Sequence, residues 1–228
     1  MKKAIFWDFD GTLAYSNHLW SGSLLKTLER YTENNTVTLA DIRPPMAHGF
    51  TWDEPDKTAG LKDEEWWEYT NRHISDVYRA VGISEEETAR LLPLYRKVIM
   101  EKENYNLYPD TVETLSALKE RGYSHFLLSN NYPELDVIMS ELGLDKYFDG
   151  MIISAKVGFD KPKREIFDIA FKTAGCPEKA FMVGDNPYSD IKGAKAYGIP
   201  AILVHRDNDG GFDCIKCENL IDILDICK

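Results

Sequence analysis

Two aspartates separated by one residue stand at the end of the first apolar run of the chain. In the stretch AIFWDFDGT (4–12), Asp8 and Asp10 follow the apolar residues and precede a Gly-Thr pair. Aspartate is depleted in strands, and two like charges this close repel each other. Residues two apart in an extended chain point to the same side, so both carboxylates should face one site. A divalent cation, held together with Asp185, would relieve the repulsion and leave room for a phosphate oxygen.

Further polar residues fall where other predicted strands end. Ligands of open parallel sheets bind beyond the carboxyl ends of the strands, near the point where strand order reverses. We therefore expect these side chains to gather around Asp8 and Asp10. They are Ser129, Asn130 and Asn131 after HFLL, Lys161 shortly after a predicted strand at 150–157, and Asp185 and Asp190 after AFMVG.

The second half of the chain alternates between short apolar runs and amphipathic helices. This alternation predicts a parallel sheet with helices on both faces, that is, an α/β fold. The first strand, KAIFW, has the same apolar character and should belong to the same sheet. The other predicted strands are 125–129, 150–157, 180–185 and 201–205, and the helices between them are 110–121, 133–143, 163–175 and 189–198.

Residues 16–104 have a different character and hold four of the five tryptophans. Amphipathic patterns predict helices at about 18–33, 63–81 and 84–103. The stretch 41–60 is rich in Pro and Gly, which predicts a loop. We interpret 16–104 as a helical cap domain inserted into a core domain formed by 1–15 and 105–228.

Composition excludes several classes of protein. The chain has 228 residues and a net charge of −11, which disfavours a nucleic-acid or anionic-membrane surface. It has no stretch long enough to cross a membrane, and its start lacks the apolar region of a signal peptide, so we expect a cytoplasmic protein. Cys214 and Cys217 form a CxxC pair, predicted to be ordinary thiols, with structural zinc (completed by Cys176 and Cys227) as the alternative.

Four motifs in order resemble those of the haloacid dehalogenase superfamily. They are D-x-D-G-T at residues 8–12, a strand ending in Ser-Asn, a Lys-Pro pair before a helix, and G-D-x-x-x-x-D at 184–190. The inserted segment resembles the helical cap of the first subfamily. The resemblance implies a Rossmann-like three-layer α/β sandwich, with Mg²⁺-dependent phosphatase activity on a small phosphorylated metabolite.

The resemblance also implies roles for the first two aspartates. Asp8 resembles the nucleophile that attacks phosphorus and becomes an aspartyl-phosphate. Asp10 resembles the general acid and base, which protonates the leaving alkoxide and then activates water. Both residues are expected to bind the metal, Asp8 through its carboxylate and Asp10 through its backbone carbonyl.

The remaining motif residues correspond to phosphate and metal ligands. Ser129 would donate a hydrogen bond to the phosphoryl group, helped by the backbone N–H of Asn130. Lys161 would neutralise the charge of the phosphoryl group and of the nucleophile. Asp185 would bind Mg²⁺, and Asp190 would support or complete the metal site.

Several alternatives remain open at this stage. A 2-haloacid dehalogenase would use the same scaffold, although Asp10 would then have no leaving alkoxide to protonate. A phosphomutase would keep the same residues, and a non-catalytic binding protein would keep the fold. Lys163 is the rival of Lys161, while Arg43, His48 and Trp52 in the predicted loop are weaker candidates for contacts with the leaving group. We expect a monomer or homodimer without nucleic-acid or membrane partners.

Overall fold

The computed structural model describes residues 2–33 and 36–228, within which the strands form a six-stranded parallel sheet and a two-stranded antiparallel one. The strands are β1 (Lys3–Trp7), β2 (Ala14–Tyr15), β3 (Asn106–Leu107), β4 (Tyr123–Ser129), β5 (Gly150–Ile153), β6 (Lys179–Gly184), β7 (Ala201–Val204) and β8 (Ile215–Cys217).

The α-helices are α1 (Leu19–Tyr31), α2 (Leu39–Met46), α3 (Asp63–Ala80), α4 (Glu85–Ile99), α5 (Thr111–Glu120), α6 (Leu135–Glu141), α7 (Ser154–Val157), α8 (Arg164–Thr173), α9 (Gly193–Tyr197) and α10 (Ile223–Ile226). Four α-helices of the described ranges follow β2, and the others lie between strands of the parallel sheet or after its last strand, with α7 and α8 both between β5 and β6. A π-helical turn, Pro187–Lys192, leads directly into α9.

Strand β1 lies in the middle of the parallel sheet, whose order is β5-β4-β1-β6-β7-β8. The chain therefore builds the sheet first to one side of β1 and then to the other, so the strand order reverses beside β1. In register, Trp7 lies opposite Leu127 of β4 and Val183 of β6. The residues that follow these three positions consequently leave the sheet at the same edge.

Helices cover both faces of the sheet, as the predicted three-layer fold requires. Ile5 and Trp7 belong to one buried cluster together with Leu115 of α5. Phe6 points to the other face and belongs to a second cluster with Phe167 of α8. The alternation follows from the period of two in a strand, and burial on both faces explains why the strands are apolar throughout. The α/β three-layer prediction is confirmed.

The four helices α1–α4 pack against each other and join the core cluster on one face of the sheet. The adjacent Trp66 and Trp67 are both buried, although neighbours on a helix point in different directions. Trp66 donates from Nε1 to Thr51 Oγ1 at 3.1 Å within the inserted segment, whereas Trp67 donates to Glu134 Oε2 at 3.0 Å. One indole thus anchors the segment internally, and the other ties it to the residue that precedes α6.

Three element predictions need correction. The predicted strand 150–157 ends at Ile153, and the helical turn α7 follows, closed by the N–H of Gly158 on the carbonyl of Ser154 at 2.7 Å. The predicted loop 41–60 begins inside helix α2, because Thr38 and Asp41 cap that helix and its two prolines lie towards its end. The helix predicted at 189–198 begins two residues earlier, as the π-helical turn.

Helix α4 runs through Pro93 and ends at Ile99, a few residues before the predicted end. No helix in the described ranges combines the length and apolar character needed to cross a bilayer.

Candidate active site

The residues predicted from strand ends meet at one edge of the sheet. Asp8 follows β1, Ser129 is the last residue of β4, and Asp185 follows β6. They line a cavity of about 670 Å³ between the sheet and the inserted segment. Of the predicted site residues, Asp8, Asp10, Ser129, Asn130, Lys161 and Asp185 line this cavity.

Lys161 links two of the predicted carboxylates. Its Nζ lies 2.8 Å from Asp8 Oδ1 and 2.6 Å from Asp190 Oδ1, and the side chain is 1% exposed. Burial alone would lower the pKa of Lys161, but the charges of Asp190 and Asp8 outweigh it, so the pKa is raised and the ammonium group is retained. Burial raises the pKa of Asp190, and the charge of Lys161 opposes that rise.

The rival lysine lies elsewhere. Lys163 forms an ion pair with the exposed Asp56 of the inserted segment and does not line the cavity. The lysine directly before Pro162 is therefore the one that reaches the carboxylates.

Three buried carboxylates could hold a metal ion. One oxygen each from Asp8, Asp185 and Asp190 lies within 4.8 Å of the other two. Burial and the charge of Asp8 raise the pKa of Asp185, and the charge of Arg206 opposes that rise. Hard carboxylate oxygens at this density fit a divalent cation such as Mg²⁺. The side chain of Asp10 lies outside this group, so its predicted contact through the backbone carbonyl stays a prediction.

Two glycines make room for these carboxylates. A Cβ on Gly184 would lie 2.1 Å from Asp190 Oδ2, and one on Gly11 would lie 2.4 Å from Asp185 Oδ2. Gly11 also has φ +77°, in the left-handed region that side chains disfavour. Gly11 thus leaves room for a carboxylate of the candidate metal cluster and also permits the turn after Asp10.

Asp10 has a different environment from Asp8. Burial and the charge of Asp8 together raise its pKa to about 7, although a hydrogen bond from Asn131 opposes the rise. Asn131 Nδ2 donates to Asp10 Oδ2 at 2.6 Å. A carboxyl group with this pKa can hold a proton near neutrality and release it again, as a general acid and base must.

Asn130 supports the site through a contact that the sequence did not suggest. Its Nδ2 donates to the carbonyl of Lys161 at 2.9 Å, and its Oδ1 accepts the N–H of Lys161 at 2.7 Å. This reciprocal pair fixes the backbone that carries the lysine. The predicted contribution of the Asn130 N–H to phosphate binding stays a prediction.

Sequence reasoning gave no role to Arg206, which follows strand β7 by two residues. Its Nε donates to Asp185 Oδ2 at 2.7 Å, and it lines the cavity. Its position just after a strand could have identified it, because the same kind of position predicted Asp185 as a site residue. Its contact pairs a cation with Asp185, one of the carboxylates of the candidate metal cluster.

The inserted segment supplies a largely apolar wall. Trp20 and Trp52 line the cavity, with ring centroids 5.8 Å apart, and Leu19, Asp53 and Pro55 complete this wall. Trp52 was a weak candidate in the sequence. The other two candidates of the predicted loop, Arg43 and His48, do not line the cavity.

Comparison with known proteins supports the motif resemblance. The chain is 32% identical over 153 residues to the phosphoserine phosphatase of Thermus thermophilus, a match that covers 65% of this chain and 60% of that protein. The chain therefore spans less than two thirds of the length of this relative.

Two solved structures share the fold across nearly the whole chain. The magnesium-bound structure of YfnB from Bacillus subtilis has a TM-score of 0.79 at 18% identity, covering 99% of this chain and 98% of that one. The 2-haloacid dehalogenase of Pseudomonas syringae pv. tomato has a TM-score of 0.71 at 20% identity, again covering 99% and 98%. At such identities the likeness concerns the fold alone.

The family follows from a match to the chain itself. A family model described as haloacid dehalogenase-like hydrolase matches residues 2–198, which include all four motifs. The same motif residues surround the cavity at the carboxyl edge of the sheet. This chain belongs to the haloacid dehalogenase-like hydrolases.

Proposed function

We propose that this hydrolase is a Mg²⁺-dependent phosphatase that cleaves a small phosphorylated metabolite through an aspartyl-phosphate. The observation that carries the proposal is the contrast between two carboxylates in one cavity. Asp8 is paired with the buried ammonium group of Lys161, whereas Asp10 has a pKa of about 7. Two carboxyl groups in such different settings are suited to a nucleophile and a proton carrier. The phosphatase activity of the Thermus thermophilus relative agrees with this choice.

In the first step, Asp8 attacks the phosphorus atom of the substrate. An Asp8 oxygen forms the new bond to phosphorus while the bond from phosphorus to the leaving oxygen breaks. Asp10 gives its proton to that leaving oxygen, so the product departs as a neutral alcohol. The enzyme then carries a phosphoryl group on Asp8, and Asp10 is a carboxylate.

In the second step, water replaces Asp8 on the phosphorus atom. Asp10 takes a proton from the water molecule as its oxygen bonds to phosphorus and the Asp8–phosphorus bond breaks. Inorganic phosphate leaves, and both aspartates return to their starting states. The pKa of about 7 allows Asp10 to serve in both directions near neutral pH.

The phosphoryl group would be held by residues at the ends of β4 and before α8. Ser129 and the N–H of Asn130 donate hydrogen bonds to its oxygens, and Lys161 contributes positive charge. Asp8, Asp185 and Asp190 would hold Mg²⁺, with the backbone carbonyl of Asp10. Bound there, the ion supplies further positive charge against the charge that develops on the phosphoryl oxygens.

The inserted segment would act as the cap over the reaction, with residues 16–104 as its predicted extent. Its aromatic wall faces the position of the leaving group, so it would select the alcohol and exclude water in the first step.

The alternatives make different demands on Asp10. A dehalogenase attacks carbon and releases a halide, which needs no proton, so the environment of Asp10 would have no use in its first step. A phosphomutase returns the phosphoryl group to a second site on the substrate and therefore releases little phosphate. A binding protein turns over no ester.

The decisive experiment measures phosphate release from 4-nitrophenyl phosphate with and without Mg²⁺, for the wild type and Asp8→Asn. We expect Mg²⁺-dependent turnover in the wild type and none in the variant, because an amide cannot form the acyl-phosphate. A panel of phosphorylated metabolites would then rank substrates, and chloride release from 2-chloropropionate would test dehalogenation.

The matched control is Asp225→Asn, which makes the same chemical change at an exposed position outside the cavity. It should retain wild-type turnover. Activity that survives in Asp8→Asn, after mass spectrometry has excluded deamidation to Asp, would contradict the proposed nucleophile. A folded wild type that releases chloride but no phosphate would identify a dehalogenase.

A further inference from the structure

The two oxygens of the Asp10 carboxylate have different surroundings. Oδ2 accepts the 2.6 Å hydrogen bond from Asn131 Nδ2, whereas Oδ1 is buried and has no hydrogen-bond partner within the described ranges. An oxygen that accepts an N–H bond cannot at the same time direct its own O–H at that donor. Asn131 therefore holds this carboxylate through Oδ2, whereas no group within the described ranges holds Oδ1.

The amide of Asn131 is fixed in the orientation that this contact requires. Its Oδ1 accepts the backbone N–H of Tyr132 at 2.9 Å, so Nδ2 must face Asp10. The backbone N–H of Asn131 donates to Ser154 Oγ at 3.1 Å, and the side chain is 1% exposed. A flip of the amide would place two acceptors together at Asp10 and two donors together at Tyr132.

Three consecutive residues at the end of β4 thus make three different contacts. Ser129 lines the cavity, Asn130 holds the backbone of Lys161, and Asn131 holds the side chain of Asp10. The consecutive residues Ser-Asn-Asn thus connect the cavity edge, the buried lysine and the proton carrier through one short segment.

We infer that Asn131 is a positioning residue, which holds the Asp10 carboxylate through Oδ2 at the edge of the cavity where Asp10 serves as proton carrier. The inference rests on the proposed phosphatase function. In the first step a correctly placed Asp10 passes its proton to the leaving oxygen as the bond from that oxygen to phosphorus breaks. In the second step a proton of the attacking water passes to Asp10 as the Asp8–phosphorus bond breaks.

The test compares two esters of similar shape with leaving groups of different acidity. The variant Asn131→Leu removes the amide donor at similar volume, and kcat/KM is measured for phenyl phosphate and 4-nitrophenyl phosphate. Nitrophenolate leaves readily without a proton, whereas phenolate needs one. We expect kcat/KM to fall about 10- to 100-fold for phenyl phosphate and less than about 3-fold for 4-nitrophenyl phosphate.

A rapid-mixing experiment gives a second readout. With 4-nitrophenyl phosphate the first step stays fast in Asn131→Leu, while the second step still needs Asp10 to accept a proton from water. The aspartyl-phosphate should accumulate, so nitrophenolate should appear in a burst equivalent to the enzyme concentration, followed by slow turnover. A loss of folded protein would lower the amplitude of both phases equally.

Two further variants separate positioning from structural support. Ser154→Ala removes a hydrogen bond from the same turn but leaves the Asn131 amide intact, so any loss should be equal for both esters. Asp10→Asn should show the ester selectivity of Asn131→Leu, and the double variant should lose nothing further, because both changes affect one interaction. Asn131→Ser replaces Asn131→Leu if the larger side chain prevents folding, since its hydroxyl is too short to reach Asp10.

Equal losses for the two esters, or a double variant whose losses simply multiply, would overturn the inference. Both outcomes presuppose a wild type that releases phosphate. A wild type that releases none contradicts the proposed function instead, so the two failures are distinguishable.

Discussion

The two halves of the cavity are built on different principles. The sheet half is charged and fixed: Lys161 is buried and contacts Asp8 and Asp190 within hydrogen-bond distance. The cap half, which the inserted segment supplies, presents Trp20 on helix α1 and Trp52 on a 3₁₀ turn, Thr51–Asp53, and their rings lie in contact with each other. The residues that would perform the chemistry are thus held at the strand ends by ion pairs with a buried lysine. The residues that would face the leaving group are held by contacts between aromatic rings instead.

Charge makes the contrast sharper. Among the described cap residues that line the cavity, none is basic, and the carboxylate of Asp53 accepts the backbone N–H groups of Gly49 and Phe50 at 2.8 and 3.0 Å. The cap half therefore has an apolar surface and a carboxylate already engaged in its own turn. Changes in the sheet half should reduce turnover of every ester, whereas changes in the cap half should alter the choice among esters.

The largest effect is expected from Lys161→Met. This change removes the cation shared by two buried carboxylates, so kcat/KM should fall about 10³-fold for aryl and alkyl phosphates alike. The matched control is Lys163→Met, which loses only an ion pair with the exposed Asp56 and should stay within about 3-fold of the wild type. If the loss in Lys161→Met differed strongly between aryl and alkyl phosphates, Lys161 would also take part in selecting the leaving group, contrary to this prediction.

The next effect is expected from Gly11→Ala. A Cβ would lie 2.4 Å from Asp185 Oδ2, so the carboxylate must move, and Mg²⁺ affinity measured by calorimetry should fall about 10- to 100-fold. Gly122→Ala is the control, since Gly122 has a similar φ of +81° with no atom within 4 Å of the added Cβ. It should cost about 1 kcal/mol of stability and leave metal affinity unchanged. Equal metal affinities in the two variants would show that a Cβ at position 11 does not displace Asp185, and would contradict the prediction.

A pH effect of intermediate size is expected from Asp10. Its folded pKa of about 7 lies above that of an unfolded aspartate, so between these values the folded state holds a proton that the unfolded chain has released. The free energy of unfolding of the metal-free protein should therefore decrease as pH rises through this window. Relative to Asp10→Asn, we expect a decrease of about 2 kcal/mol between about pH 5 and about pH 7.5. Urea unfolding of both proteins measures it, and parallel pH profiles would contradict the raised pKa.

The smallest effect is expected in the cap half, from Trp52→Ala. Loss of one ring face costs about 0.5–1.5 kcal/mol, so kcat/KM for an aryl phosphate should fall by up to about 10-fold, with little change for a small alkyl phosphate. Tyr31→Ala, an exposed aromatic residue of the same segment, is the control and should leave both values unchanged. A uniform loss in Trp52→Ala would assign Trp52 to cap stability rather than to selection.

Local pattern was enough to predict much of the fold. Apolar runs gave the strands that end at Trp7 and Ser129, because a strand buried on both faces must be apolar throughout. The same pattern predicted a strand that continues through Ser154, and this was wrong. The chain forms a helical turn there, closed by the hydrogen bond from the N–H of Gly158 to the carbonyl of Ser154. The prediction failed also at α2, where the prolines suggested a loop. The Thr38–Asp41 cap begins a helix there, and the prolines lie within it.

The sequence by itself determined which residues reach the carboxyl edge of the sheet, because the place of a residue after a strand is a local property. Asp8, Asp10, Ser129 and Asp185 line the cavity for this reason, whereas Lys161 reaches it from the segment beyond helix α7.

Only the tertiary structure decided which of these side chains touch. Lys161 and Asp8 lie 153 positions apart, Asn131 and Asp10 lie 121 apart, and their contacts depend on how strands β1 and β4 and the segment before α8 pack together. The same packing brings Arg206 to Asp185 and the cap tryptophans to the cavity. Hydrogen bonds and ion pairs act over a few ångströms, a precision that the order of residues along the chain does not contain.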